Sequence, residues 1–276
     1  MGLSILLPLD GSTYASAARR VALQIAQGQP KSRITALHVV NVRPGSGNVL
    51  EDLGGRLGFE PAVVADEKAE AANARGEEIL NAFATEAKAL GVEVDARLVT
   101  GVVAQTILDH AQQADLVIMG LRGTTDDRFP GQGGEMISWL VPRVDVPMLM
   151  LPRSTRQVQR VALGYDGSVG AKHAVRAVRR VFEGVPVAIH AIYVSRDGSG
   201  GEILDEVDRA LPEQTVTHHV VQGTSAHASL AEESARLNAD VIALGFRGKN
   251  KLKDVLFGSV TERFEIDGTV GLLVAH

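Results

Sequence analysis

Cysteine is absent from the 276 residues of this chain. Disulfides, thiolate nucleophiles, cysteine-ligated zinc and iron–sulfur clusters all require that side chain, so each of these chemistries is excluded. The sequence also lacks any apolar run near the ~20 residues that a membrane-spanning helix needs. Its first residues have no basic segment before their short apolar run and no small-residue cleavage site after it, so we expect a cytoplasmic protein.

A large excess of charge of one sign is absent too, because the formal net charge is only −5. This balance argues against nucleic acid and anionic membranes as partners. With 45% hydrophobic residues the chain can build a core, which excludes global disorder. Its length exceeds the ~100–150 residues of a common domain and fits one large domain or two ordinary ones.

An internal duplication decides between these two possibilities. Asp10 is matched by Asp166 in an Asp-Gly-Ser turn that follows a short apolar strand, and His38 is aligned with His190. Four blocks recur in the same order: 5–26 with 161–182, 36–42 with 188–194, 114–123 with 239–248, and 146–152 with 269–275. We therefore predict two domains, 1–153 and 159–276, that are joined by a short polar linker and pack together.

The two copies differ in length. Asp10 and Gly120 are 110 positions apart, whereas Asp166 and Gly245 are only 79 apart, so the second copy is 31 residues shorter. The extra residues of the first copy lie between its second and third strands, in a glycine-rich loop and a long helix predicted over 62–90. The second copy has a shorter loop and a short helix there.

Apolar strands alternate with amphipathic helices in each half. The pattern predicts first-half strands at 3–9, 34–42, 92–99, 116–119 and 146–151. Strands that are apolar on both faces and separated by helices form parallel, doubly wound sheets, so the fold class is α/β with two tandem Rossmann-like domains. Ligands of such sheets bind at the carboxyl ends of the strands. The final strands, 146–151 and 269–275, are apolar edges that invite pairing and must be covered.

The segment after the fourth strand of the second half combines glycine, positive charge and a hydroxyl group. Gly245 and Gly248 bound a turn, Arg247 and further lysines supply charge, and Gly258 and Ser259 open a predicted helix. Backbone N–H groups at glycines and at a helix start can hold an anion, which suggests a phosphate cradle. A loop with a serine N-cap and a solvated basic face is the alternative. The residues alone leave both interpretations open.

The spacing Gly245-x2-Gly248-x9-Gly258-Ser259 resembles the nucleotide signature of the ATP-binding branch of the universal stress protein family. The Asp-Gly-Ser turn and the strand with His190 resemble that family too, and so does the first half, so the whole chain resembles a tandem member. This resemblance implies an adenine nucleotide alpha hydrolase-like fold that binds ATP, alone or with Mg²⁺. It also implies that the two final strands pair with each other in an internal pseudo-dimer. The residues that it assigns to the nucleotide are Asp166 near the ribose and phosphates, Ala191 at the adenine edge through its backbone, and Gly245, Arg247, Gly248, Gly258, Ser259 and Val260 around the phosphates.

Two departures from the family pattern qualify this assignment. Many members have Pro-Thr before the aspartate, where this half has Gly164 and Tyr165, so we expect Tyr165 to crowd the nucleotide or stack near it. In the first half the corresponding loop carries two aspartates, which repel a triphosphate unless a metal intervenes. The first-half site is therefore predicted to be the weaker one, with Gly134 in place of the hydroxyl residue; its members are Asp10, Val39, Gly120, Gly123, Gly133 and Gly134.

Other chemistries find little support in the sequence. It has no P-loop motif and no nucleophile elbow, and we predict no catalytic residue. His218 and His219 are adjacent on a predicted strand and point to opposite faces, so we expect no metal site there. The leading interpretation is a regulatory ATP-binding protein of the stress response that self-associates through its two domains, with a homodimer as a further form. A slow ATPase and a nucleotide-free interaction scaffold are the alternatives.

Overall fold

A computed structural model of the chain describes residues 2–41, 62–123, 135–246 and 270–276. The first half contains β1 (Ser4–Pro8), α1 (Thr13–Gly28), β2 (Arg33–Asn41), α2 (Ala62–Ala89), β3 (Glu93–Gly101), α3 (Val103–Ala111), β4 (Leu116–Gly120), α4 (Glu135–Leu140) and β5 (Met148–Leu151). The second half contains β6 (Arg160–Gly164), α5 (Val169–Val181), β7 (Ala188–Ser195), a 3₁₀ turn (Gly201–Leu204), α6 (Asp205–Ala210), β8 (Val216–Gln222), α7 (Ala226–Arg236), β9 (Val241–Gly245) and β10 (Gly271–Ala275). Within these described ranges no helix has the length and apolarity to cross a membrane.

All ten strands form one sheet in the order β3-β2-β1-β4-β5-β10-β9-β6-β7-β8. Neighbouring strands within each half are parallel, which confirms the predicted doubly wound α/β class. The two halves meet where β5 pairs with β10 in antiparallel register. The predicted pairing of the two final strands is therefore confirmed. Each half supplies the same strand order, so the halves are related by a pseudo-two-fold axis through this seam.

The two faces of the sheet are packed differently. On one face, α1, α2, α5 and α6 cover a single core that runs through both halves and includes the fully buried Leu149, Leu163 and Leu273. On the other face, α3 and α4 cover a first-half core around Met148, and α7 covers a smaller second-half core around Ile242. Because alternate strand residues point to opposite faces, each strand contributes to both layers. Because this core contains residues of both halves, its packing joins them on the first face.

The linker and helices α1 and α5 hold the halves together on this face. Gly28 and Gly184 each lie 18 positions after the aspartate of their own Asp-Gly-Ser turn, so they are equivalent positions. They meet each other at the pseudo-two-fold axis: a β-carbon added at Gly184 would lie 2.3 Å from the carbonyl oxygen of Gly28. Only glycine at both positions lets the backbones approach this closely.

Side chains on either side of this contact bind backbone groups of the other half. The Gln24 side chain donates to the carbonyl oxygen of Val158 at 2.7 Å and accepts from its N–H at 2.9 Å. Across the axis, the Arg180 guanidinium donates to the carbonyl oxygen of Gly2 at 3.0 Å. These hydrogen bonds fix where the linker and the amino-terminal segment lie against the two helices.

Two large side chains of α4 pack as core residues. Trp139 and Met136 lie partly buried against the first-half core. The Arg143 guanidinium lies 4.5 Å from the centre of a Trp139 ring and adds a cation–π contact.

Candidate functional site

The Asp-Gly-Ser turn has the same structure in both halves. Asp10 accepts a hydrogen bond from the N–H of Ser12 at 2.9 Å, and Asp166 accepts one from the N–H of Ser168 at 3.0 Å. The intervening glycines have φ values of +78° and +72°, a conformation that favours glycine. Each serine then caps the following helix by accepting a backbone N–H through its hydroxyl oxygen. The motif thus places one carboxylate of each half at the carboxyl edge of the sheet.

The glycine that ends the fourth strand of each half presses against the first turn of the helix that follows the aspartate. A β-carbon at Gly120 would lie 2.5 Å from Cβ of Tyr14, and one at Gly245 would lie 1.8 Å from the carbonyl oxygen of Gly170. Both glycines are therefore required by backbone packing, whatever they contribute to a ligand. This contact brings the end of the fourth strand beside the Asp-Gly-Ser turn.

The structure brings together three of the predicted first-half site residues. A β-carbon at Gly123 would lie 3.0 Å from a carboxylate oxygen of Asp10, and Gly120 ends β4 three residues before it. In the second half, Asp166 and Gly245 lie at the same edge. The other predicted residues of this edge lie outside the described part of the chain: Arg247, Gly248, Gly258, Ser259 and Val260 in the second half, and Gly133 and Gly134 in the first.

The sheet register corrects the alignment of the second strands. The N–H of Leu9 donates to the carbonyl of Leu37, and the equivalent N–H of Tyr165 donates to the carbonyl of Ile192. Counted from these bonds, Val39 is equivalent to Val194. The alignment of the two strand histidines is therefore wrong by three residues. In this register Tyr193 is equivalent to His38.

This register also changes what Ala191 can offer. Its side chain is fully buried, and its backbone lies inside the ladder, between Leu163 of β6 and His218 of β8. Val39, by contrast, lies two residues beyond the last β1–β2 hydrogen bond, which ends at Leu37. In a parallel sheet, alternate residues of a strand direct their backbone N–H and C=O groups to the same neighbouring strand. The backbone groups of Val39 therefore point toward the space beyond the end of β1. Val194 has the equivalent position over the end of β6.

His38 lies near the end of β2, and its ring is hydrogen-bonded to the backbone. Its Nδ1 lies 2.7 Å from the carbonyl oxygen of Leu9, so that nitrogen carries the hydrogen and donates it. Gly76 of α2 packs on the ring, since a β-carbon there would lie 2.6 Å from Cδ2 of His38. The long helix of the first half therefore covers this strand end, and α6 leaves the second half with a shorter cover.

The side chain of Tyr165 is buried and has no exposed ring face on which a nucleotide could stack, which corrects the expectation for this residue. Its side chain is buried in the core shared by the halves, and its hydroxyl donates to Oε2 of Glu206 at 2.5 Å. Lys172 completes the group, with Nζ at 3.2 Å from the same carboxylate oxygen. Burial and the Glu206 carboxylate raise the pKa of Tyr165, while the Tyr165 and Lys172 hydrogen bonds lower the pKa of Glu206.

Replacing Tyr165 by phenylalanine is expected to lower the free energy of unfolding by about 1 kcal/mol, because it removes a hydrogen bond and keeps the ring packing. Tyr193→Phe is the matched control, since Tyr193 makes no hydrogen bond within the described residues and should change stability by less than ~0.5 kcal/mol. Urea unfolding followed by circular dichroism measures both. A loss in Tyr193→Phe as large as in Tyr165→Phe would contradict the assigned role of the Tyr165–Glu206 bond.

His218 and His219 lie on opposite faces of β8, as predicted. Nε2 of His218 lies 3.1 Å from a carboxylate oxygen of Asp208 on α6. His219 instead contacts His190 on β7, with Nε2 at 3.0 Å from Nδ1 of His190. The two neighbouring histidines therefore belong to different groups of side chains, one on each face of the sheet.

Comparison with known proteins adds a family to this geometry. The sequence model of the universal stress protein family matches residues 2–151 and 157–264. A curated relative, universal stress protein Slr1230 of Synechocystis sp., is 20% identical over 277 residues and covers 94% of each chain. The matched ranges fall on the two halves.

Solved structures show the same fold at full length. A universal stress protein from Archaeoglobus fulgidus is similar with a TM-score of 0.74 and 21% identity, over 99% of this chain and 96% of the other. A putative universal stress protein from Pseudomonas aeruginosa is similar with a TM-score of 0.55 and 16% identity, over 99% and 92%. At these identities the likeness establishes the fold alone.

Proposed function

This chain belongs to the universal stress protein family, and on that premise we propose that it is a regulatory nucleotide-binding protein whose second half holds ATP. The observation that carries the proposal is the convergence of two backbone features at the carboxyl edge of the second half. The Asp166 turn and Gly245 lie there side by side, and the Gly248-x9-Gly258-Ser259 spacing continues directly from them. Such edges are where doubly wound sheets bind their ligands.

We assign the roles in this site as follows. Asp166 faces the ribose and phosphate end, and Gly258, Ser259 and the neighbouring backbone N–H groups hold the phosphates, with positive charge from Arg247. Val194 takes the place first assigned to Ala191, because its backbone lies beyond the end of β6 whereas Ala191 lies within the ladder. ATP binds alone or with Mg²⁺, and a binding-dependent shift in conformation or association would carry the regulation.

The first half supports a weaker version of the same site. Asp10, Gly120 and Gly123 converge as their counterparts require, and Val39 directs its backbone over the end of β1. Its loop, however, has Gly134 where the second half has a hydroxyl residue, and two carboxylates where the second half has lysines. We infer that ATP favours the second half by electrostatics and by hydrogen bonding to the phosphates.

Calorimetric titration of ATP into the full chain tests the proposal. Gly258→Asp combined with Ser259→Ala should weaken binding more than tenfold, because it adds a negative charge and removes a donor at the phosphates. The matched first-half variant, Gly133→Asp, should leave the affinity within about twofold, a difference below ~0.5 kcal/mol. Absence of binding in the parent chain would refute the function. Unchanged binding in the second-half variant would refute only the site.

Measurements on the same protein also test the two alternative functions, a slow ATPase and a nucleotide-free scaffold. ADP accumulating at on the order of 1 s⁻¹ or faster would favour an ATPase, since ordinary enzymes turn over in that range. No ATP binding at all would favour a nucleotide-free scaffold. We expect ATP binding without turnover at such rates in a cytoplasmic protein, because Asp166 is the one carboxylate among the residues assigned to the second-half site and none of the others that the structure describes is paired with it as a general acid or base.

A further inference from the structure

A chain of polar side chains lies on the second sheet face of the second half, away from the carboxyl edge. His190 of β7 and His219 of β8 contact each other through Nδ1 and Nε2 at 3.0 Å, with ring centres 5.2 Å apart. Nδ1 of His219 faces Oε1 of Glu233 on α7 at 3.3 Å. Three elements thus converge on two imidazoles, and the side chains of His219 and Glu233 are only 15% and 12% exposed.

The hydrogen-bond donors of this chain follow from its carboxylate end. Two N–H groups of Arg236 hold the Glu233 carboxylate at 2.6 and 2.8 Å, so Glu233 is ionised and acts only as an acceptor. Nδ1 of His219 therefore carries the hydrogen that faces Glu233, and Nε2 of His219 carries a lone pair. That lone pair accepts the Nδ1 hydrogen of His190.

Burial lowers the pKa of both His190 and His219. The hydrogen bond between the rings requires, by geometry alone, that Nε2 of His219 has a lone pair. An imidazole nitrogen with a lone pair is the form that binds metal ions. Moving the single proton of this hydrogen bond from Nδ1 to Nε2 of His190 would leave a lone pair on both facing nitrogens.

We propose that His190 and His219 bind one divalent transition-metal ion between Nδ1 and Nε2, with Glu233 as the residue that positions His219. Two nitrogens that each lie ~2.0–2.1 Å from one ion are about 3 Å apart when they subtend a right angle at it, which is close to the observed spacing. Right-angled nitrogen pairs suit Cu²⁺ and Ni²⁺. On binding, the Nδ1 proton of His190 moves to Nε2 of the same ring, so no proton is released, and water fills the other positions.

The arrangement of Glu233 supports a metal site specifically. A carboxylate on the far nitrogen of a ligating histidine fixes the tautomer and raises the basicity of the ligand. The first half has no counterpart, because the sheet register places Thr35 and Arg97 at the positions of His190 and His219, and Arg97 pairs with Asp95 at 2.7 Å. The site is therefore a feature of the second half alone and is independent of the proposed ATP site.

Calorimetric titration of CuCl₂ into chelator-treated full chain, without nucleotide, tests the proposal. We expect one ion per chain, and roughly 100-fold weaker binding in His190→Gln and in His219→Gln, which each remove a ligand. Glu233→Gln keeps both ligands and should weaken binding by about 10–100-fold. His227→Gln, elsewhere on α7, should bind as the parent does. NiCl₂ should follow the same order of variants with lower affinity.

A second group of potential ligands makes the necessary control. The exposed Asp205, Asp208 and His218 have ligand atoms within 4.8 Å of one another. Loss of the Cu²⁺ site in Asp208→Asn but not in His190→Gln would overturn the proposal, as would binding that survives both histidine substitutions. If a histidine variant fails to fold, Cu²⁺ should broaden the imidazole NMR signals of His190 and His219 in the parent before any others. Broadening that begins at His218 would overturn the proposal equally.

Discussion

Gly184→Ala is expected to lower the free energy of unfolding by about 3–5 kcal/mol, several times the effect of the same substitution at Gly91. Both glycines have positive φ values, +69° and +71°, so both variants incur the ~1–2 kcal/mol cost of a left-handed backbone. Only at Gly184 would the new β-carbon meet another atom, at 2.3 Å from the carbonyl oxygen of Gly28, whereas nothing lies within 4 Å of one at Gly91. The difference therefore isolates the contact between the halves.

Urea unfolding of the two variants, followed by far-ultraviolet circular dichroism, measures this difference. Gly28→Ala should show the reciprocal loss, since its added β-carbon would lie 2.9 Å from the carbonyl oxygen of Gly184. Equal losses at Gly184 and Gly91 would mean that helices α1 and α5 separate without cost. The close approach at the pseudo-two-fold axis would then not stabilise the fold.

Phe182→Ala is expected to cost about 3–5 kcal/mol and to destabilise both halves, although Phe182 belongs to the second. Its side chain is fully buried in the core that runs across the seam. The chain has one tryptophan, Trp139, and it packs against the core on the other sheet face, which consists of first-half residues and Val274 of β10. Fluorescence therefore reports on the half that the substitution does not touch.

The two halves should unfold in one transition, because one core is common to both. Trp139 fluorescence and circular dichroism should give the same urea midpoint in the parent chain, and both midpoints should fall together in Phe182→Ala. Val169→Ala serves as the control on the same helix, since Val169 is 58% exposed and its truncation removes little buried surface. A fluorescence midpoint that stays at the parent value would show two independent domains.

Local sequence patterns were enough to predict the elements and their order. The Asp-Gly-Ser turns carry their own hydrogen bonds, from Asp10 to Ser12 and from Asp166 to Ser168, so their structure depends little on the rest of the chain. The apolar final strands predicted their own pairing, because an edge of Met148 to Leu151 cannot remain uncovered. Such features are local in sequence or follow from the need to bury apolar surface.

Strand register was not predictable from the same information. The His38 and His190 blocks resemble each other because both are apolar strands with one histidine, which says nothing about where each strand starts in the sheet. The third strands align more clearly, because Gly101 ends β3, Gly223 directly follows β8, and a β-carbon at either glycine would press on a hydroxyl side chain of the next helix. Gly101 lies 62 positions after Val39, however, and Gly223 lies 29 positions after Val194, so the equivalence of the two valines follows only from their pairing with the third strands.

The direction of side chains beside the site was not predictable from the sequence either. Tyr165 follows β6 directly, and its position next to Asp166 suggested contact with a ligand. Its hydroxyl instead reaches Glu206 on α6, an element that the shorter second half brings to this place. The sequence contains both residues, but their pairing depends on how a short helix packs over the strand end. Only the assembled core determines that.

Because the two halves are parts of one chain, the two sides of the contact between them need not have the same residues. In a dimer of identical subunits every substitution occurs on both sides of the axis, so a substitution at the contact must be tolerated at two symmetry-related positions. Here Gln24 and Arg180 occupy equivalent positions and bind the carbonyl oxygens of the equivalent Val158 and Gly2, yet one is a neutral amide and the other a guanidinium. Each side of the seam can change independently, and the same independence lets the second half carry His190 and His219 where the first half has Thr35 and Arg97.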